Sequence, residues 1–180
     1  MKAIKFLVLS LIVLFTSCEE DKSLKISDKE YSISTFYLIR HAEKDRTDSE
    51  NVDPELNQKG LGRAMHWAEI LNEVDLDAIY STDFNRTSMT AAPTSVKKNI
   101  DVEYYDPRTI DIEQFKADNL NKKVLVVGHS NTTPNFVNNL IGEEKYSQID
   151  DSENGSLFIV QIVNGVVADT KLIFNCNCPD

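Results

Sequence analysis

A three-layer α/β/α sandwich with a mostly parallel sheet, closed by a C-terminal antiparallel hairpin, is the fold the sequence predicts, and three observations carry it. Short runs of β-branched and aromatic residues alternate with amphipathic helical segments, the pattern of an α/β domain. After its first lysine the run 123–128, Lys-Val-Leu-Val-Val-Gly, is continuously apolar, as a strand buried on both faces requires. Near the end of the chain Asn164-Gly165 stands between two strand-like runs, and that dipeptide favours the type I′ turn of a hairpin.

Residues 33–39 are rich in β-branched and aromatic types and run into Arg40-His41, which makes them the first strand. Over 57–72, Leu61, Ala64, Met65, Ala68 and Leu71 recur at helical spacing and predict an amphipathic helix, with Arg63, His66, Glu69 and Glu73 on its solvated face. Residues 78–80 form a short second strand. Ser81-Thr82-Asp83 then offers three N-caps to a helix carrying Arg86 and Thr90, which Pro93 is expected to end or kink. The alternating stretch 100–105 is the third strand and 123–128 the fourth. A helix over 133–141 follows, and 157–163 and 166–174 are the strands of the hairpin. No internal repeat or second domain is visible.

The 180 residues, 41% hydrophobic and 27% charged with 6 Gly and 5 Pro, suffice for one globular domain and exclude a collagen-like or low-complexity chain. The net charge of −10, with no concentrated basic patch, argues against nucleic acid as a partner. Only His41, His66 and His129 are available for imidazole chemistry, and Cys18, Cys176 and Cys178 do not have the Cys-x2-Cys spacing of a zinc site.

Lys2 and Lys5 precede an apolar run over 6–15, and Thr16-Ser17-Cys18 follows, so residues 1–17 read as a signal peptide. Ten apolar residues are too few to span a bilayer, which takes about 20. Small residues before a cysteine resemble the lipobox of bacterial lipoproteins, with Phe15 where an aliphatic is usual. That resemblance implies lipidation of Cys18, membrane anchoring through it, and a place in the bacterial cell envelope, periplasmic or on the cell surface. Residues 18–32 show no period and are expected to be a tether, 33–175 the folded domain and 176–180 a tail. In an extended tail Cys176 and Cys178 lie roughly 6.5 to 7 Å apart, at the limit for a disulfide, so free or loosely paired thiols are expected.

Three polar clusters follow three predicted parallel strands: Arg40-His41-Ala42-Glu43-Lys44, Ser81-Thr82-Asp83 leading to Arg86, and Gly128-His129-Ser130-Asn131. Ligands bind at the carboxyl ends of the strands in open α/β sheets, so two His and two Arg converge on one crevice. Guanidinium forks match phosphate oxygens, and neutral imidazole is a competent nucleophile near pH 7. The set suits phosphoryl transfer through a histidine.

Arg40-His41-Ala42, then Ser81-Thr82-Asp83-Phe84-Asn85-Arg86-Thr87-Ser88-Met89-Thr90-Ala91, then Gly128-His129-Ser130, with Leu56-Asn57-Gln58-Lys59-Gly60 at a helix start, resemble in order the motifs of the histidine phosphatase superfamily, in its phosphoglycerate mutase-like branch. The resemblance spans about 35–174. It implies that His41 attacks phosphorus and becomes a phosphohistidine, while Arg40, Arg86 and His129 hold the equatorial oxygens. Backbone N–H groups of the helix opening after Ser130 could add to them, making Ser130 a substrate-binding position. It further implies a phosphatase acting on a phosphorylated small molecule or phosphoprotein. No cofactor or metal is expected, because the four side chains supply the charge.

Ala42 stands where relatives usually have Gly. For the general acid that protonates the leaving group, Asp111 is nearest by spacing, Asp106 by its place at the strand end and Glu113 by residue type, and short relatives acting on phosphohistidine dispense with such an acid. The stretch 106–113 leaves no room for the insertion that caps mutases, which favours hydrolysis. The alternative is a catalytically weak lipoprotein that binds a phosphorylated ligand in the same crevice. Gly128-His129-Ser130-Asn131-Thr132 imitates a serine-hydrolase elbow, but no His follows position 129 and Thr132 replaces the second Gly. Residues 150–153, Asp-Asp-Ser-Glu, read as a solvated loop that could border the crevice.

Overall fold

The computed structural model describes residues 31–178. The expected signal peptide, Cys18 and nearly all of the tether lie outside the described residues. Six strands form one sheet, β1 (Ile33–Arg40), β2 (Ala78–Ser81), β3 (Val102–Tyr104), β4 (Lys123–Gly128), β5 (Ser156–Val163) and β6 (Val166–Ile173), in the order β3-β2-β4-β1-β5-β6. The first four in that order are mutually parallel, while β5 pairs antiparallel with β1 and β6 antiparallel with β5. Asn164 (φ 51°) and Gly165 (φ 81°) make the hairpin turn in the left-handed region its type demands.

Strand alternation divides the core. Phe36 and Leu38 of β1 and Val124 and Val126 of β4 pack with Phe115, Phe136 and Leu140, which lie on α3 (Ile112–Asp118) and α4 (Thr132–Ile141). Ile39, Leu125 and Val127 face the other way. They meet Trp67 of α1 (Gln58–Ile70), Ala91 of α2 (Asn85–Lys98) and Leu71, just past α1. Helices therefore cover both faces of the sheet, as expected, and the central strands β1 and β4 are buried on both sides.

Three expectations need correction. Helix α2 does not end at Pro93, one of the two outcomes expected there; it runs on to Lys98 and ends at Asn99 in the left-handed conformation, because Ala91 and Thr94 on either side of the proline are buried and hold the helix in place. In α1 the inward face includes Arg63, while Leu61 and Met65 are 40% and 57% exposed; His66 is half-buried rather than exposed. An ion pair with the half-buried Glu43, described below, draws Arg63 inward. The tail turns at Cys176 and Cys178, bringing their Cα atoms to 5.1 Å, and a disulfide joins them in place of the free or loosely paired thiols expected.

Candidate active site

His41 stands one residue beyond β1, and its N–H donates to the Gly128 carbonyl at 2.9 Å, which ties the segment after β1 to the end of β4. Its ring is buried, with Nδ1 2.7 Å from the Ala42 carbonyl. A carbonyl oxygen can only accept, so Nδ1 carries the proton and Nε2 keeps its lone pair. Burial lowers the imidazole pKa to about 3; the Ala42 carbonyl opposes the shift, and the charges of Arg40, His129 and Arg86 add to it. The ring is a neutral base at pH 7.

His129 is the first residue after β4, its ring 5.5 Å from that of His41, centroid to centroid, and edge-on. Its Nε2 lies 2.9 Å from Thr82 Oγ1, which is also 3.0 Å from Thr87 Oγ1. Thr87 spends its single hydroxyl proton on the carbonyls of Thr82 and Phe84, at 2.8 and 2.9 Å. It must therefore accept the Thr82 proton, which leaves His129 Nε2–H as the donor to Thr82 and the lone pair on Nδ1. Burial, then Arg86 and Arg40, lower this pKa to about 4.

Arg40, the last residue of β1, is 1% exposed. Its Nη1 donates to the carbonyls of Asp150, Asp151 and Glu153 at 2.8, 3.1 and 3.1 Å, and Nη2 to Asp151 Oδ1 at 2.6 Å. The loop 150–153 thus wraps a buried guanidinium, and its Asp151 also pairs with Arg46 at 2.7 Å. Arg40 Nε is buried without a hydrogen-bond partner among the described residues. Arg86, in the first turn of α2, pairs with Asp53 at 3.2 Å and lies 4.4 Å from the centroid of the Phe84 ring.

Arg40, His41, Arg86, His129 and Ser130 line one open cavity of about 860 Å³ at the carboxyl ends of the parallel strands. A second cavity of about 880 Å³ adjoins it and shares His41, Lys44 and Asp151 with it. Asn131 and Thr132, where α4 begins, also line the first. Gly128 is needed at this end of β4, since a Cβ there would lie 2.8 Å from Thr133 Oγ1 and 3.1 Å from the Tyr105 hydroxyl.

The three acid candidates part company. Asp106 lines the cavity but is gripped by Arg108, whose Nε and Nη2 donate to it at 2.9 and 2.7 Å and, with the Arg108 N–H, hold its pKa at about 2. Asp111 caps α3, accepting from the Glu113 and Gln114 N–H groups at 3.0 and 3.1 Å. Glu113 pairs with Lys116 at 2.8 Å. Neither Asp111 nor Glu113 lines the cavity, so helix-capping chemistry accounts for the Asp111 spacing.

Further side chains support the site. Asn154 Nδ2 donates to the His41 carbonyl at 3.0 Å, and Thr90 Oγ1 accepts from the Ala42 N–H at 2.9 Å. Arg63 grips Glu43 through Nε and Nη2 at 2.7 to 3.0 Å. Thr90, at its fixed step from Arg86, left a sequence signal. Asn154, 113 positions from His41, left none.

Residues 36–108 match the family model described as histidine phosphatase superfamily (branch 1). Phosphoserine phosphatase 1 from Hydrogenobacter thermophilus is 35% identical over 80 residues, which are 42% of this chain. The chain spans only 37% of the length of that curated relative. Among solved structures, the protein histidine phosphatase SixA complexed with tungstate superposes with a TM-score of 0.60 at 14% identity, covering 77% of this chain and 96% of the other. A phosphoserine phosphatase from Entamoeba histolytica in complex with phosphoserine gives 0.57 at 16% identity, over 76% and 94%. At such identities the structural likeness speaks for the fold.

Proposed function

We propose, on the premise that the chain belongs to the histidine phosphatase superfamily, that it is a metal-independent phosphatase working through a phosphohistidine on His41. The observation that carries this reading is the neutral pair of buried His41 and half-buried His129 in a cavity that also holds Arg40 and Arg86. His41 Nε2 attacks phosphorus, the N–P bond forms as the bond to the leaving group breaks, and water then hydrolyses the intermediate. A bound phosphate dianion favours the imidazolium form of His129, whose Nδ1–H can then donate to a phosphoryl oxygen. Arg86 and the start of α4 at Ser130 supply further donors. Arg40 contributes its charge, and its Nη2 becomes a direct phosphate donor once Asp151 yields it.

The substrate is a phosphomonoester or phosphoramidate, carried by a small molecule or a phosphoprotein; phosphoserine and phosphohistidine, the groups named for the similar proteins, head the panel to be tried. Hydrolysis is preferred over mutase transfer because only residues 105–111 connect β3 to α3, which leaves no cap to retain a bisphosphorylated intermediate. Lipidation at Cys18 would anchor the domain in the bacterial cell envelope. The mechanism is tested by phosphoenzyme trapping. His41→Ala should abolish the acid-labile phosphoenzyme, and a chelator should leave wild-type turnover unchanged. Full activity in His41→Ala, or loss of activity with chelator, contradicts the mechanism.

A further inference from the structure

The carboxylates facing the crevice leave the leaving group without an evident proton donor. Asp106 is held ionised by Arg108, and Asp151 bridges Arg40 and Arg46. Asp83, on the rim, is exposed and has no side-chain partner among the described residues to hold it in position. The Tyr105 phenol is pushed up by burial.

Lys44 differs from all of these. Its backbone is pinned by an antiparallel bridge to Leu56, with Asp45 N–H donating to the Glu55 carbonyl at 2.8 Å and Asn57 N–H to the Glu43 carbonyl at 3.0 Å. Neighbouring side chains on such extended backbone point to opposite sides. Glu43 turns to Arg63, with which it lines only the adjoining cavity, whereas Lys44 lines that cavity and also the one that holds both His41 and His129. Its side chain is half-buried and, among the described residues, has neither a hydrogen bond nor an ion pair, although Asp151 stands nearby. An ammonium kept in a partly dry crevice without an acceptor has three donors free for a ligand. The charged groups around it are mainly cationic: Arg46, Arg86 and Arg40, opposed by Asp151. Burial and these cations lower its pKa, which makes it a better acid than an exposed lysine.

The geometry points to Lys44 as the catalytic residue that protonates the departing atom when His41 takes the phosphoryl group, an assignment that rests on the phosphatase reading above. As the N–P bond forms at His41 Nε2, the electron pair of the breaking P–O or P–N bond stays on the leaving atom, which takes a proton from Lys44 Nζ. In the second step water attacks phosphorus, the pair of the N–P bond returns to Nε2, and the water proton goes to the neutral Lys44 amine. The lysine thereby ends each cycle charged again. One flexible ammonium would thus do the work for which Asp111, Asp106 and Glu113 were candidates.

Single-turnover phosphoenzyme formation on the full-length protein, measured against phosphate esters from dinitrophenyl to alkyl, tests this. Lys44→Met should slow alkyl phosphates by about 10²-fold or more and the dinitrophenyl ester by less than about 10-fold, since a good leaving group departs without a proton. Retained reaction with the dinitrophenyl ester also shows that the variant folds. Lys44→Arg keeps the charge but cannot release a proton near neutral pH, and should show the same selective loss. The assignment is overturned if Lys44→Met slows every ester equally, if Lys44→Arg restores the alkyl rates, or if Asp83→Asn or Asp106→Asn produces the selective loss instead. A wild-type protein that forms no phosphoenzyme with any ester overturns the phosphatase reading itself, and Lys44 with it.

Discussion

Folding holds His41 and His129 neutral, at pKa values of about 3 and about 4, whereas histidines of the unfolded chain titrate near 6.5. Between those values the unfolded chain binds more protons than the folded one, so stability rises with pH there. The contribution is complete above about pH 6.5 and is lost as the pH falls toward 4 and 3. Urea midpoints measured at pH 7.5 and 5 should therefore decrease toward the acid side, and His129→Asn should shrink that decrease. Nitrogen NMR of labelled imidazoles should show His41 protonated only at Nδ1 at both pH values. A His41 signal that titrates near 6.5 would contradict the burial argument. For turnover, removing one charge donor with His129→Ala or Arg86→Ala should cost on the order of 10²-fold in kcat.

Two connections between elements hold the crevice in shape. Helix α1 abuts the segment after β1 so closely that a Cβ on Gly60 would collide with the Glu43 carbonyl, while Asn57 caps the helix by accepting from the Gly60 N–H at 2.9 Å. Inside that junction burial disfavours ionised Glu43, and the hydrogen bonds and charge of Arg63 more than reverse the effect, leaving its pKa lowered. Arg63→Met would leave a carboxylate without its partner and should destabilise the fold by about 3 kcal/mol, read from denaturant midpoints, with discounting for the partial exposure of the pair. Because the pair stabilises ionised Glu43, its contribution is present above the unfolded carboxyl pKa and disappears in acid. The second connection is the loop 150–153 around Arg40. Asp151 places a carboxylate at 2.6 Å from Nη2, where a phosphate oxygen would compete for the same donor. Asp151→Asn should tighten inhibition by inorganic phosphate several-fold; weaker inhibition would mean that the carboxylate instead holds Arg40 in place.

At the scale of the whole molecule, one domain built on a single sheet carries the crevice, and the proposed anchor lies in a separate stretch of sequence. A diacylglycerol together with an amide-linked acyl chain would hold such a protein stably, where one chain alone binds marginally. Mass spectrometry of the native N-terminus should find Cys18 as a lipidated first residue. An unmodified cysteine, or retention of Met1, would remove the envelope from this account.

Composition and spacing by themselves determined the alternation of strands and helices, the hairpin at Asn164-Gly165, and the convergence of Arg40, His41, Arg86 and His129 on one crevice. Those features depend on local propensity and on the rule that strand ends face one crevice, which short segments reveal. Tertiary structure decided what each polar side chain does. Asp111 and Asp106 look alike as carboxylates after β3, yet one caps α3 and the other pairs with Arg108. Arg63 has the spacing of a solvated helix residue and is buried, because its partner Glu43 is 20 positions away and beyond the reach of any periodicity. Asn154 and the loop that wraps Arg40 lie more than 100 positions from the residues they hold. Burial and pairing arise only when distant segments are packed together, and burial is what keeps the two histidines of the crevice neutral.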